Sequence, residues 1–185
     1  MAHMTVSVEY GIHSLLVMLD ADGHPLSSRD LADFQNISHS LLAKIFPKLE
    51  KAGIVRASEG VRGGYRLARR PDQISFLDIV DAIEGRKPLF DCQEIRGRCA
   101  VFDGPSPPDW VTHSVCAVHV VMLRAEKSMR DTLASQSLAD LGTTLARKAP
   151  PEFSAGVKSW LRDRTDRRVR PRSGAPRSVS TQGSP

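Results

Sequence analysis

Residues 27–52 read S-S-R-D-L-A-D-F-Q-N-I-S-H-S-L-L-A-K-I-F-P-K-L-E-K-A, and no other stretch constrains the fold as tightly. Ser27 can cap a short helix running through Phe34, with Leu31 and Phe34 on its buried side. Ser38 can cap a second, longer helix from His39 to about Ala52. Gln35-Asn36-Ile37 leaves room for only a tight connection between them. Two amphipathic helices joined so closely make a helix-turn-helix, with Leu41, Leu42, Ile45 and Leu49 facing the core and Ser40, Lys44, Lys48 and Lys51 outward. Helix 39–52 is then the recognition helix, with Ser38, His39, Ser40 and Lys44 near the end that reaches base edges in a duplex and Lys48 a DNA-binding candidate expected, with Arg62, to contact phosphate.

The flanking residues extend this nucleus. Gly53 suits a left-handed helix terminus, and Ile54-Val55-Arg56 with Tyr65-Arg66-Leu67 predicts two short strands around the hairpin E-G-V-R-G-G (59–64). This hairpin is a candidate wing. Its glycines, Gly63 and Gly64 among them, permit close approach to a phosphate or groove floor, and Arg62 and Arg66 carry charge beside Tyr65. Upstream, Val8, Ile12, Leu15, Leu16 and Leu19 recur at helical spacing over residues 8–21. Downstream, Ser75 caps a helix over 76–84 (Leu77, Ile79, Val80, Ile83) that Gly85 stops. Residues 115–134 resume the helical period with Val115, Val118, Val121, Met122, Ala125, Met129 and Leu133, long enough to pack against a second copy.

The fold class predicted is mainly α with a small β-hairpin wing: a winged helix-turn-helix plus a long dimerisation helix. Residues 1–87 form the DNA-binding domain and 88–149 the cysteine loop and dimerisation helix. Ser137 caps a further short helix, and Pro150-Pro151 marks a boundary. A short segment, 150–161, contains an amphipathic run from Phe153 to Leu161. Residues 162–185, rich in Arg, Ser, Gly and Pro, are expected to be a disordered tail, either solvated or adding non-specific DNA affinity.

Charge is distributed to match. Residues 29–70 hold nine Lys and Arg against four acids, while 1–28 hold three acids and no Lys or Arg. The tail, 162–185, holds seven Arg against two Asp. A basic block inside a folded region is the footprint of a phosphate-binding surface. No apolar run is long enough to span a bilayer, and the first residues lack the pattern of a secretion signal, so the expected location is the cytoplasm, with no membrane partner. A glycine-rich phosphate loop, a nucleophile elbow and a paired-histidine metal motif are all missing, which argues against an enzyme.

The chain has three cysteines, spaced C-x6-C-x16-C as Cys92, Cys99 and Cys116. An odd number in a cytoplasmic protein argues against a disulfide framework, and thiolates are the ligands of iron–sulfur clusters. Free redox thiols and a Cys3His zinc site are the alternatives, in that order. Glu9 and His13, at i and i+4, share a helical face and could point at one site.

The helix-turn-helix, the string V-R-G-G-Y-R-L-A-R-R-P (61–71), the helix I-S-F-L-D-I-V-D-A-I-E-G (74–85) and the cysteine loop together resemble the Rrf2 family of bacterial transcriptional regulators, which includes IscR-like and NsrR-like proteins. The resemblance spans roughly residues 5–145. It implies a homodimer on a pseudo-palindromic DNA operator, with the recognition helix in the major groove and the wing in the minor groove. It further implies a regulator, a repressor in this reading, that senses redox state, nitric oxide or iron–sulfur status through a 2Fe-2S or 4Fe-4S cluster on Cys92, Cys99 and Cys116. His119, three residues past the last cysteine, completes the ligands in one version. In the other, Glu9 and His13 reach across the dimer. Cluster-free sensing by redox thiols, a small ligand or a partner protein is the alternative. This chain departs from the family in the gap before Cys116, which is lengthened by a proline-rich insert around residues 104–108.

Overall fold

A computed structural model describes residues 4–60, 63–102 and 106–169. Among the described residues, eight α-helices and one hairpin follow one another as α1 (Val6–Leu19), α2 (Ser28–Gln35), α3 (His39–Lys51), β1 (Val55–Ser58), β2 (Gly64–Leu67), α4 (Phe76–Glu84), α5 (Asp109–Thr112), α6 (Ala117–Ala134), α7 (Leu138–Lys148) and α8 (Pro151–Val169). The mainly helical architecture with a two-stranded antiparallel wing is the fold that the sequence predicts.

Local chemistry sets most of the boundaries. The Ser27 hydroxyl accepts from the Asp30 amide, satisfying a donor that the first turn of α2 would leave free, and Asn36 closes that helix at a left-handed φ of 53°. Ser38 occupies the N-cap position of α3, but its side chain makes no capping bond; its hydroxyl lies 2.8 Å from that of Ser40 instead. Pro47 sits inside α3 and removes one helical N–H, so this helix depends on packing more than on its own ladder. Reciprocal capping boxes open both α4 (Ser75 with Asp78) and α7 (Ser137 with Asp140). The two openings are joined: Phe76 N donates to Gln136 O at 2.9 Å and Leu138 N to Ile74 O at 2.8 Å.

The core lies where α1, α3 and α4 converge. Leu15, Leu31, Leu42, Ile45, Phe46, Leu49, Ile54, Ile74, Ile79 and Leu138 are buried there. Of the apolar positions expected from periodicity, Leu15, Leu31, Leu42, Ile45, Leu49 and Ile79 are in this set, while Ile12, Leu19, Phe34 and Val80 pack against it partly covered. Phe46 is an addition, and Leu41 is only partly covered. Each buried aliphatic or aromatic side chain contributes about 1.5–3 kcal/mol by leaving water, so these residues dominate the fold's stability.

Helix α6 buries none of its residues, and Val118 and Val121 are each 61% exposed. One region differs from expectation: helix α8 runs to Val169, well into the segment expected to be disordered. Val157 and Leu161 are buried, Trp160 packs edge-on to Phe34 at 5.2 Å, and the second half is held by ion pairs. Those partners, Asp30 and Asp33, are distant in sequence, so a reading of the local apolar pattern stops at Leu161. Residues 170–185 of the expected tail lie outside the described residues.

Candidate nucleic-acid interface and cysteine loop

The N-terminal end of α3 is open to solvent. Ser38, His39, Ser40, Ala43 and Lys44 are all exposed. The His39 Nε2 lies 2.5 Å from an Asp33 carboxylate oxygen, which fixes the ring across the turn. That hydrogen bond holds the Asp33 carboxyl below its ordinary value; partial burial opposes the shift, and Arg164 adds to it. Lys48 behaves otherwise. Its amine donates to the Ile83 carbonyl at 2.7 Å, in the last turn of α4, so it fastens α3 to α4 rather than extending from the basic face.

The wing pairs Val55 with Leu67, Arg56 with Arg66, Ala57 with Tyr65 and Ser58 with Gly64. Tyr65 is an anchor. Its ring lies 4.7 Å from that of Phe46, and its amide and carbonyl bond to Leu26 at 2.7 and 2.9 Å. Burial raises its phenol above the ordinary value, with the Glu50 carboxylate adding to the shift. Gly64 explains the small residue beside it: at φ 152°, a Cβ there would lie 2.5 Å from the Leu26 carbonyl oxygen. A Cβ on Gly63 would meet the Ser58 carbonyl oxygen at the same distance. Gly64 thus lets the wing pack on the domain at Leu26, and Gly63 lets the hairpin close on its own backbone. Arg62 lies outside the described residues.

Register adds a residue that the sequence reading missed. Arg56 and Arg66 stand directly opposite each other, on one face of the hairpin. Arg66 also donates to the Ser58 hydroxyl at 3.3 Å, and neither guanidinium forms an ion pair among the described residues. Like charges facing across strands oppose folding, and a polyanion would offset that cost. Arg56 was visible as a basic residue in a strand, but its partner could be identified only from the pairing.

The cysteine loop is built around Arg96. Its guanidinium pairs with both Glu94 oxygens and donates to Val111 O at 3.2 Å and Ser114 O at 2.8 Å, tying residues 94–98 to the segment before α6. Glu94 holds the Arg96 pKa above its ordinary value, and the charges of Cys116 and Cys92 add to this, so both sulfurs lie within its Coulombic reach. Glu94 itself adopts a left-handed φ of 45°, a conformation that costs a non-glycine residue about 1 kcal/mol or more. Its carboxyl is held below the ordinary value first by the Arg96 bond and, more weakly, by His119.

All three cysteines are free. Cys92 and Cys116 are half-buried, and Cys99 is exposed. Among the described residues no three His, Cys, Asp or Glu side chains converge in a metal-binding arrangement. Glu9 and His13 are exposed on α1, where they line a groove of about 1170 Å³ with Phe76, Val80 and Leu133. His119 packs edge-on to Phe90, with ring centroids 6.2 Å apart.

The chain is similar to known proteins. The family model described as "Iron-dependent Transcriptional regulator", Rrf2, matches residues 4–144. A Synechocystis sp. protein named as an HTH-type transcriptional regulator is 44% identical over 82 residues, spanning 44% of this chain and 56% of its own length. Protein rrf2 of Nitratidesulfovibrio vulgaris is 31% identical over 139 residues, which is 75% of this chain and 85% of that protein. Among solved structures, T. potens IscR superposes with a TM-score of 0.58 at 22% identity, covering 82% of this chain and 96% of that one. Helix α8 begins beyond the matched residues of the family model.

Proposed function

We propose, from the premise that this chain belongs to the Rrf2 family of transcriptional regulators and is not an enzyme, that it is a homodimeric repressor that reads a pseudo-palindromic operator and senses through its cysteine loop. The observation that carries the proposal is the pairing of an exposed α3 N-terminus with a hairpin presenting Arg56 and Arg66 on one face. Ser38, His39, Ser40 and Lys44 read base edges in the major groove, and Arg56, Arg62 and Arg66 meet phosphates beside it. The exposed valines of α6 support pairing with a second copy. Among the described residues no helix is long and apolar enough to cross a membrane, and a DNA partner puts the protein in the cytoplasm.

For the sensor we favour an iron–sulfur cluster. The family description as iron-dependent and the three thiols support it. The Arg96 guanidinium feels the charges of both Cys116 and Cys92, which suits an anionic centre, and among the described residues no three His, Cys, Asp or Glu side chains converge within one chain. Glu9 and His13, exposed on α1, are then the donors that a second copy brings, and His119 is the alternative within the chain. Bare thiols are the second reading, supported by three free cysteines of which Cys99 is exposed.

Selection of duplexes from a random pool by the anaerobically purified full chain tests the first proposal, and iron and acid-labile sulfide assays on the same sample test the second. Enrichment of inverted repeats whose half-sites lie about one helical turn apart is expected. A pool that stays random after several rounds would sink the regulator reading; protein without iron or sulfide would leave it standing and move the sensing to thiols.

A further inference from the structure

Helix α8 begins past the family match, yet it reaches the base-reading end of the recognition helix. Val157 and Leu161 are buried against the domain, and Trp160 meets Phe34 of α2 edge-on at 5.2 Å. One turn further along, Arg164 lays its guanidinium over the Trp160 ring, with the central carbon 4.8 Å from the centroid. One of its nitrogens lies 3.0 Å from an Asp33 oxygen. Held between a ring and a carboxylate, the planar guanidinium has a defined place.

The other Asp33 oxygen lies 2.5 Å from His39 Nε2. One carboxylate thus joins α8 to the first residue of α3. Ser38 gives α3 no side-chain cap, so the bond from His39 to Asp33 ties its first turn to α2 instead. The Asp33 side chain is 25% exposed and that of His39 49%, which shelters the carboxylate and leaves the ring in reach of a ligand. The Asp33 carboxyl is held below its ordinary value first by the His39 bond; burial opposes this, and the charges of Arg164, His39 and Arg29 add to it. An ionised carboxylate only accepts, so Nε2 carries the proton of this bond, and in the neutral ring Nδ1 keeps a lone pair. Among the described residues Nδ1 makes no hydrogen bond.

We infer that Arg164 is a positioning residue for base reading: through Asp33 it holds the His39 imidazole in one tautomer and orientation, with Nδ1 offered as an acceptor in the major groove. The group that suits it is an exocyclic amine, N6 of adenine or N4 of cytosine, because guanine and thymine present acceptors at that edge. Arg164 does this without touching DNA. The preference at one base pair of each half-site is thereby set from the C-terminal helix.

This inference rests on the regulator reading, and the experiment separates the two. Full-length chains are compared: unaltered, Arg164→Met, His39→Ala, the double variant, and Lys158→Met, which removes the α8 ion pair with Asp22 and leaves Asp33 alone. Nitrogen-15 spectra of the imidazoles are recorded without DNA, at a pH where the ring is neutral, and the His39 signals are identified by their loss in His39→Ala. The unaltered chain should show the two His39 nitrogens widely separated, as one fixed tautomer gives, and Arg164→Met should draw them together. Each chain then selects duplexes from a random pool. The unaltered chain should enrich A or C on one strand at one position of each half-site. Arg164→Met and His39→Ala should lose that preference while keeping the others, with discrimination falling by up to about tenfold for each half-site. The double variant should lose no more than His39→Ala, because the two act as one unit. On a random-sequence duplex Arg164→Met should keep the salt slope of the unaltered chain, and Lys158→Met should match that chain throughout. Unmoved His39 signals, a preserved preference or an effect shared by Lys158→Met would overturn the positioning role alone, as would a lower salt slope, which would make Arg164 a phosphate contact. An unaltered chain that selects no duplex would overturn the regulator reading and this inference with it.

Discussion

Residues 6–84 and residues 85–116 are built by opposite means. In the first, helices with defined caps enclose a core in which Leu42, Phe46 and Leu49 are fully buried. In the second, Val111 is the one buried apolar residue among those described, the backbone passes through a strained Glu94, and one guanidinium supplies much of the order. A surface that must match a duplex benefits from being preformed, because ordering it at the moment of binding would subtract from affinity. The sensing proposed for the cysteine loop needs two arrangements close in free energy, and sparse apolar packing leaves that possible.

The sharpest break of this contrast is Phe46→Ala. It should cost about 3–5 kcal/mol in chemical denaturation and release Tyr65 and the wing with it, since both rings pack together. Next is Gly64→Ala, which drives a Cβ into the Leu26 carbonyl; a loss of about 1–3 kcal/mol is expected, with operator affinity falling further than stability alone accounts for. Arg96→Gln should reverse the pattern. Hydrogen exchange should accelerate over residues 92–99 and 111–116 while the denaturation midpoint of the DNA-binding domain stays nearly fixed, within about 0.5 kcal/mol. An equal acceleration in α3 would mean that the two regions are one cooperative unit.

Smaller effects sharpen the picture. Arg56→Ala should reduce the salt slope of DNA binding by about 0.9 per subunit, about 1.8 for a homodimer, without destabilising the fold, because it relieves a like-charge pair. The smallest concerns acid. Asp33, held low by the His39 bond, and Glu84, held low by the Thr5 bond, both lie in the first region. A depressed folded pKa gives stability that is fully present above the ordinary carboxylate range and lost as pH falls through the lowered value. Glu84→Gln should therefore flatten the acid limb of a stability–pH curve and leave the neutral plateau only slightly lower. A curve parallel to that of the unaltered protein would remove Glu84 from that role.

What was legible in the sequence divides along the range of the interactions responsible. Ser27, Ser75 and Ser137 announce their helices because a cap acts within three residues, and Leu15, Leu42 and Ile79 declare themselves by a period that spans one element. The recognition helix and the wing were found in this way, as were the cysteines. The partner on the other side of a contact was not legible. Lys48 reads as a free cation until Ile83 arrives from another helix, and Tyr65 as a groove residue until Phe46 and Leu26 claim it. Arg56 needed the strand register, and the second half of α8 needed acids more than a hundred residues upstream. Donor convergence around the cysteines lies beyond one chain's pattern for the same reason.

The joined openings of α4 and α7 give α6 unequal ends. Its C-terminal end runs straight into Gln136, whose carbonyl is bonded to the first turn of α4, and Arg130 is clamped to Asp81 at 2.7 and 3.0 Å. Its N-terminal end starts at Cys116, beside the loop that Arg96 gathers. An 18-residue helix is about 27 Å long, so under the proposed sensing it would act as a lever with its pivot at the residues packed on α4 and its tip at Cys116. A displacement of about 3 Å at Cys116 turns it by only about 6°, yet a partner riding on its middle would be carried by half that distance while the pivot stays still.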